Sequence, residues 1–360
     1  MKVVRNSTRA TIVPSQLIFI IGFPRSGTSW FANLINAHPD TLYRHEILGR
    51  HYRLFGPTLF HRIKFDHGLS NEDYARARQI LLRPEVGADK PPFFRKRFDR
   101  TSGGTLRSLS WFAARAIPIL RPVYSRMFTP RTDEGISIVI KETRSSIDLE
   151  SILSGLRIST FLVVIRHPYN VIASHLRGFT AGVMMPTSAQ MRQQSWQYHA
   201  QMPYVHQSGL TERQFLSMSE IEFLAVMWRI QNEEFLRIQS GHPKSRVFLY
   251  EDCVNDTRLI IDELFALLGL PLESEVSKFA RESTRPRTKR AWLRTPARFD
   301  YFRVSRRREL EKDDWRKTFT ANDIKLIDLH TYPLVARLGL GRWISDSSDG
   351  AFARSGVSGH

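Results

Sequence analysis

Arg25 lies inside Gly22-Phe23-Pro24-Arg25-Ser26-Gly27-Thr28-Ser29, a loop of small residues that can hold an anion. Glycines near both ends let the backbone close round an oxyanion, and Ser26, Thr28 and Ser29 add hydroxyls. A loop of this kind running into a helix N-terminus is an anion cradle, because its N–H groups and the helix dipole both favour negative charge. The spacing Gly22-x4-Gly27 fits a Walker-type phosphate loop, but Thr28 stands where the lysine that reaches the β- and γ-phosphates belongs. The loop therefore reads as a site for an anhydride other than regular ATP. A second constellation is Arg166-His167-Pro168 with Ser174 eight residues on. It pairs a guanidinium fork with a hydroxyl, a set suited to a phosphate dianion. Together they ask for a ligand with phosphate at two ends. Glu46, shortly after the loop, is open to two readings on the residues alone: a base at the mouth of the site, or a solvated, ion-paired glutamate.

These residues need elements to position them. Leu17-Ile18-Phe19-Ile20-Ile21 is a continuous apolar, β-branched run, suited to a strand buried on both faces. Residues 30–35 follow the loop as a helix, and a second strand starts near Thr41, carrying Glu46 to the sheet's mouth. Further strands are expected at 136–140, 160–165 and 247–252. Helices are expected at 71–82, 169–176, 219–239 (capped by Ser219, with Glu220 and Glu222 in its first turn) and 259–268, closed by Gly269. The alternation predicts one α/β, P-loop-like domain over 1–344, a central parallel sheet with helices on both faces. Helical acceptor-side insertions fall at about 49–131 and 178–218, and 345–360 reads as a disordered Ser/Gly-rich tail. Residues 106–128 mix aromatics and arginines without acids. They read either as a lid helix pair lying on a membrane or gripping a lipid-like acceptor, or as core helices with solvated arginines.

The chain has 360 residues and a formal net charge of +18. From Arg76 to Arg131 there are 13 Lys/Arg against Glu85, Asp89 and Asp99, and from Arg281 to Arg308 there are 11 against Glu282 and Asp300. Such blocks suit nucleic acid, an anionic membrane face or a polyanionic small molecule. Neither helix-turn-helix nor zinc spacing is seen, so no nucleic-acid partner and no metal are expected; His51, His61 and His67 do not have ligand spacing. No run reaches the ~18–20 apolar residues that span a bilayer. Residues 1–14 lack the apolar core of a signal peptide, and the one cysteine, Cys253, excludes a disulfide framework. A cytoplasmic location, with peripheral membrane association left open, is the expectation.

Pro24-Arg25-Ser26-Gly27-Thr28-Ser29-Trp30 resembles the 5′-phosphosulfate loop of the PAPS-dependent sulfotransferases. Arg166 and Ser174 match that family's 3′-phosphate motif in type and spacing. The resemblance continues through Tyr250-Glu251-Asp252 and a helix ending Leu268-Gly269-Leu270-Pro271, and reaches roughly Leu340. It implies PAPS as co-substrate, a hydroxylated acceptor and O-sulfonate transfer without metal. Glu46 matches the general base of the tyrosylprotein and carbohydrate branch. The cytosolic small-molecule branch has its catalytic histidine about where this chain has Thr143. Ala88-Asp89-Lys90-Pro91-Pro92-Phe93 is similar to a Lys-x-Pro segment near the active site of Golgi-type members, so Lys90 is a candidate to hold sulfonate or acceptor, with a surface lysine as its alternative. Lys141 or Arg144 is a candidate contact for acceptor or leaving group, and Trp30 a candidate to stack on adenine or to fill the core. In the segment holding Arg306-Arg307-Arg308, Arg308 matches the arginine that closes on the 3′-phosphate, although Glu309 and Leu310 depart from the pattern. The acceptor expected is a glycan, an anionic one above all, a glycolipid or another small hydroxylated molecule. Two rivals are kept: a nucleotide kinase with a degenerate loop, which needs Mg-ATP, and a non-catalytic basic protein that binds nucleic acid.

Overall fold

The computed structural model describes residues 15–48, 55–65, 69–99, 104–130, 134–143, 149–284 and 314–344. Arg144, Arg306, Arg307, Arg308 and the 345–360 tail, which carried expectations above, lie outside the described residues. Among those described, five strands form one sheet: β1 (Leu17–Ile21), β2 (Thr41–His45), β3 (Ser137–Glu142), β4 (Thr160–Ile165) and β5 (Ser245–Leu249). The order is β2-β3-β1-β4-β5, and every pairing is parallel. β1, β3 and β4 are buried at every position, which is why they read as unbroken apolar runs instead of alternating ones.

Alternate residues of these strands feed two separate cores. Phe19, Ile140 and Phe161 face one, with α2 (Gly56–Phe65), α3 (Asn71–Leu82), α6 (Leu149–Gly155), α7 (Pro168–Thr180) and α11 (Glu220–Gly241). Ile20, Val139 and Leu162 face the other, with α1 (Thr28–Asn36), α13 (Thr257–Leu268) and α14 (Ser274–Thr284). Helices thus cover both faces, as expected. A smaller cluster of Val86, Trp111, Ala114, Tyr124 and Phe128 holds α4 (Gly104–Ala116) against α5 (Arg121–Phe128). After α7 come α8 (Ala189–His199), α9 (Pro203–Ser208) and α10 (Glu212–Ser217).

The strand predicted at 247–252 ends earlier than expected. It spans Ser245–Leu249, and Tyr250-Glu251-Asp252 open α12 (Tyr250–Asn255) instead of ending the strand. A final helix, α15, runs from Ala321 to Arg337 behind a Thr320–Asp323 capping box.

The chain leaves β1 towards β2 on one side of the sheet and leaves β4 towards β5 on the other. Adjacent strands with opposite exits open a crevice at their carboxyl ends. The register puts Ile21 beside Glu142 and Val163, and His45 beside Lys141, so the loop after β1, Glu46 after β2 and Lys141 in β3 meet at one edge. No helix among the described residues is long and apolar enough to cross a membrane.

Candidate active site

The loop after β1 is held by close approach as well as by its turn. A Cβ on Gly22 would sit 2.3 Å from the Val164 carbonyl oxygen, and one on Gly27 would sit 2.3 Å from the Tyr250 ring. Gly27 also has φ 88° and caps α1, which has neither a side-chain cap nor an acid in its first turn. The first N–H groups of that helix have no intrahelical acceptor, and no acid of its own first turn competes for them. Arg25 takes φ 75°. That left-handed conformation costs a non-glycine residue roughly 1–3 kcal/mol, and sites that hold ligands are where such strain collects.

Arg25 Nε donates to Ser174 Oγ at 3.0 Å, and Arg166 Nη1 donates to the Arg25 carbonyl at 3.4 Å. The two anion motifs that sequence separates by some 140 residues are therefore in direct contact. Pro24, Arg25 and Ser29 are half-buried, while Ser26 and Thr28 are buried. Ser26 Oγ has no hydrogen-bond partner among the described residues. Trp30 is fully buried, edge-on to Tyr250, and its indole N–H donates to Ser283 Oγ at 3.0 Å. Of its two readings, the ring therefore takes the core one.

Three residues that the sequence reading does not assign to the site support it. Burial, and to a lesser degree the Arg25 charge, drive the His175 pKa down to about 4. The neutral ring must carry its proton on Nε2 to donate to the Pro24 carbonyl at 3.1 Å, which braces the loop from α7. Tyr250 packs under Gly27, and the Arg166 guanidinium lies 4.6 Å over its ring centre. Glu251 Oε1 accepts from the His167 N–H at 3.0 Å. Burial raises the Glu251 pKa, and the Arg166 charge pulls the other way. In the sequence Tyr250-Glu251-Asp252 enters only as a stretch of the family resemblance, without a role at the site. No spacing signal ties it to residues 22–27, because the link runs across the sheet through β4 and β5.

Glu46 lies at the mouth of the sheet, with its N–H on the Lys141 carbonyl at 2.8 Å and φ 49°. Lys141 Nζ donates to Glu46 Oε1 at 2.5 Å, and Thr143 Oγ1 donates to the same oxygen at 3.2 Å. Burial works to raise the Glu46 pKa, but Lys141, His45 and Lys90 outweigh it, and the carboxyl is held at about 2. Lys141 is itself buried, which lowers its pKa against the pull of Glu46; the positive charge of Arg25 acts in the same direction as burial. Lys90 Nζ is 3.1 Å from His45 Nε2, and the Tyr43 hydroxyl is 2.8 Å from His45 Nδ1. Lys90 is thus half-buried in this cluster instead of being a solvated surface lysine. The arrangement sets an ionised carboxylate and two cations beside a loop built for an oxyanion.

Several solved structures are similar over most of their length at low identity. The sulfotransferase domain of the Synechococcus PCC 7002 olefin synthase is 16% identical, covering 89% of this chain and 96% of that one, with a TM-score of 0.42. Mouse sulfotransferase SULT7A1, solved complexed with PAP, is 13% identical, covering 94% and 90%, with a TM-score of 0.42. Sulfotransferase STF9 from Mycobacterium avium is 13% identical, covering 91% and 77%, with a TM-score of 0.39. At these scores the likenesses carry no weight of their own. No curated protein matches the chain. The model of the Sulfotransferase family, however, matches residues 16–274, from the strand ahead of the loop to the start of α14. The chain belongs to the sulfotransferase family.

Proposed function

We propose that the protein transfers the sulfonate of PAPS to a hydroxyl of a glycan or glycolipid acceptor, with Glu46 as general base and 3′,5′-ADP as the product released. The observation that carries this reading is the contact of Arg25 with Ser174 and Arg166, which joins two anion sites into one able to grip a nucleotide by both its phosphates. The donor set fits such a co-substrate: loop N–H groups, Arg25, Ser26, Thr28 and Ser29 for the 5′ end, and Arg166 with Ser174 for the 3′ end. Thr28 in place of the loop lysine argues against the kinase alternative.

Glu46 accepts the acceptor's proton as the acceptor oxygen bonds to sulfur. The sulfur–oxygen bond to the 5′-phosphate breaks, and its electron pair leaves with the phosphate oxygen. Arg25 and the N–H groups of α1 offset the charge that grows there, a role whose loss typically costs about 10² to 10³ in rate. A carboxylate held at a pKa of about 2 is a weak base. Lys141 resolves this by turning from Glu46 to the incoming sulfonate oxygens, so the base strengthens when the co-substrate arrives. Lys90 holds the acceptor side. The one cysteine, Cys253, is buried and free, which suits a reducing cytoplasm.

The test is Glu46→Gln, assayed for sulfonate transfer and for 3′,5′-ADP binding. Turnover should fall by about 10² to 10⁴, with nucleotide binding unchanged. Retained turnover would assign the base elsewhere, and lost nucleotide binding would make Glu46 structural.

A further inference from the structure

The α4–α5 hairpin presents an outer surface that the transfer chemistry does not use. Leu109, Phe112, Ile117, Ile119 and Val123 are exposed on it, Ile119 to 81%. Ile117 and Ile119 lie at the tip, where the 3₁₀ turn Pro118–Leu120 joins the two helices. Arg115, Arg121 and Arg126 are exposed on the same hairpin. Residues 104–130 contain no aspartate or glutamate; Arg115 lies 5.1 Å over the Trp111 ring, and none of the three arginines has an ion pair with an acid among the described residues.

The inner side of the hairpin is, by contrast, firmly rooted. Asp89 Oδ2 accepts from the Tyr124 hydroxyl at 2.6 Å and from Arg107 Nη2 at 3.1 Å, and its Oδ1 pairs with Arg44 of β2. Trp111 Nε1 donates to the Asp89 carbonyl at 3.0 Å. The element is therefore an ordered protrusion, and its exposed isoleucines are not a frayed end. Asp89 immediately precedes Lys90, so the hairpin is anchored beside the cluster of His45 and Glu46.

We infer that the α4–α5 hairpin docks the protein on an anionic lipid bilayer, with Ile117 and Ile119 entering the headgroup–acyl boundary and the three arginines resting on acidic headgroups. Charge complementarity selects this occupant. A second copy of the chain would bring arginines against arginines across a two-fold contact, where like charges repel. A nucleic acid would leave the tip isoleucines without an apolar partner. A bilayer interface meets both needs at once. Resting on the transfer reading above, the docking narrows the acceptor to a hydroxyl carried by a membrane amphiphile instead of one on a free glycan.

The experiment is co-sedimentation of the full chain with vesicles of phosphatidylcholine alone and of phosphatidylcholine with phosphatidylglycerol. Binding is expected to the second only, and to weaken as salt rises. The double variant Ile117→Ser/Ile119→Ser should bind about tenfold or more weakly. Arg121→Gln and Arg126→Gln should each cost about fivefold. All should keep the parent's circular dichroism and its thermal shift with 3′,5′-ADP, which separates a docking defect from failure of the nucleotide site. Absence of binding to the anionic vesicles, undiminished binding by the double variant, or a stable dimer that the double variant dissolves would each overturn the proposal.

Discussion

Glu46 is a carboxylate that burial would protonate and that Lys141 keeps charged. Its depressed pKa makes a sign-definite prediction. The carboxyl ordinarily titrates near 4.5 and is held at about 2 in the folded chain, so the ion pair adds stability above about pH 4.5 that is lost as pH falls towards 2. For the same reason kcat/KM should show no acid limb from Glu46 in the neutral and mildly acidic range. Lys141→Met removes the main cation and leaves burial opposed by His45 and Lys90 alone. The acid limb of the pH–rate profile should then move up from about pH 2, alongside a lower kcat. An unchanged profile would mean that Glu46 is not the titrating base. None of this pairing was legible in the sequence. Glu46 and Lys141 stand 95 residues apart, and only the adjacency of β2 and β3 makes them neighbours. The sequence did single out Glu46, and it placed Lys141 among the candidate contacts for acceptor or leaving group.

At the scale of elements, the buried strands were readable because both-face burial leaves a plain apolar run, and β1 and β4 have the boundaries expected of them. Helix α11 was readable from its cap: Ser219 accepts from the Glu222 N–H. Tyr250–Asn255 was not, since Val247-Phe248-Leu249-Tyr250 continues the β-type pattern and the turn into α12 has no glycine or proline to mark it. That missed helix matters, because Tyr250 is what makes Gly27 a glycine. Gly27→Ala adds a methyl where the Tyr250 ring already lies and forces alanine into a left-handed φ. It should destabilise the chain by about 1–3 kcal/mol and abolish the thermal shift with 3′,5′-ADP, both read by differential scanning fluorimetry. His175→Ala removes the brace on Pro24 from the other side; the expected result is a raised KM for PAPS with kcat much less affected, in steady-state kinetics.

For the whole molecule, the sheet order decides what the site is made of. Strands β2, β3, β1 and β4 bring Glu46, Lys141, the loop and Arg166 to one edge in space, while the intervening chain supplies the covering helices. Alternating elements announced a parallel α/β fold; they did not announce which strands are neighbours, since that depends on how crossovers pack and not on local pattern. The fold also carries an acid sensitivity. His167 and His175 are buried, which lowers their pKa values to about 3 and about 4. Both lie below 6.5, so the unfolded chain takes up these protons first, and stability should decline as pH falls from about 6.5 towards 4. Chemical denaturation across that range measures it, and replacing His175 by phenylalanine should flatten the dependence.

One nucleotide site with two phosphate pockets should be stabilised by 3′,5′-ADP and not by 5′-AMP or Mg-ATP, which thermal unfolding measures. A ligand present at about 100 times its dissociation constant adds about 2.7 kcal/mol to native stability, several degrees in the midpoint for a chain of this size. That shift is expected with 3′,5′-ADP and none with the other two. A shift with Mg-ATP alone would contradict it in favour of a kinase, and no shift with any of the three would leave the joined arginine motifs without their ligand.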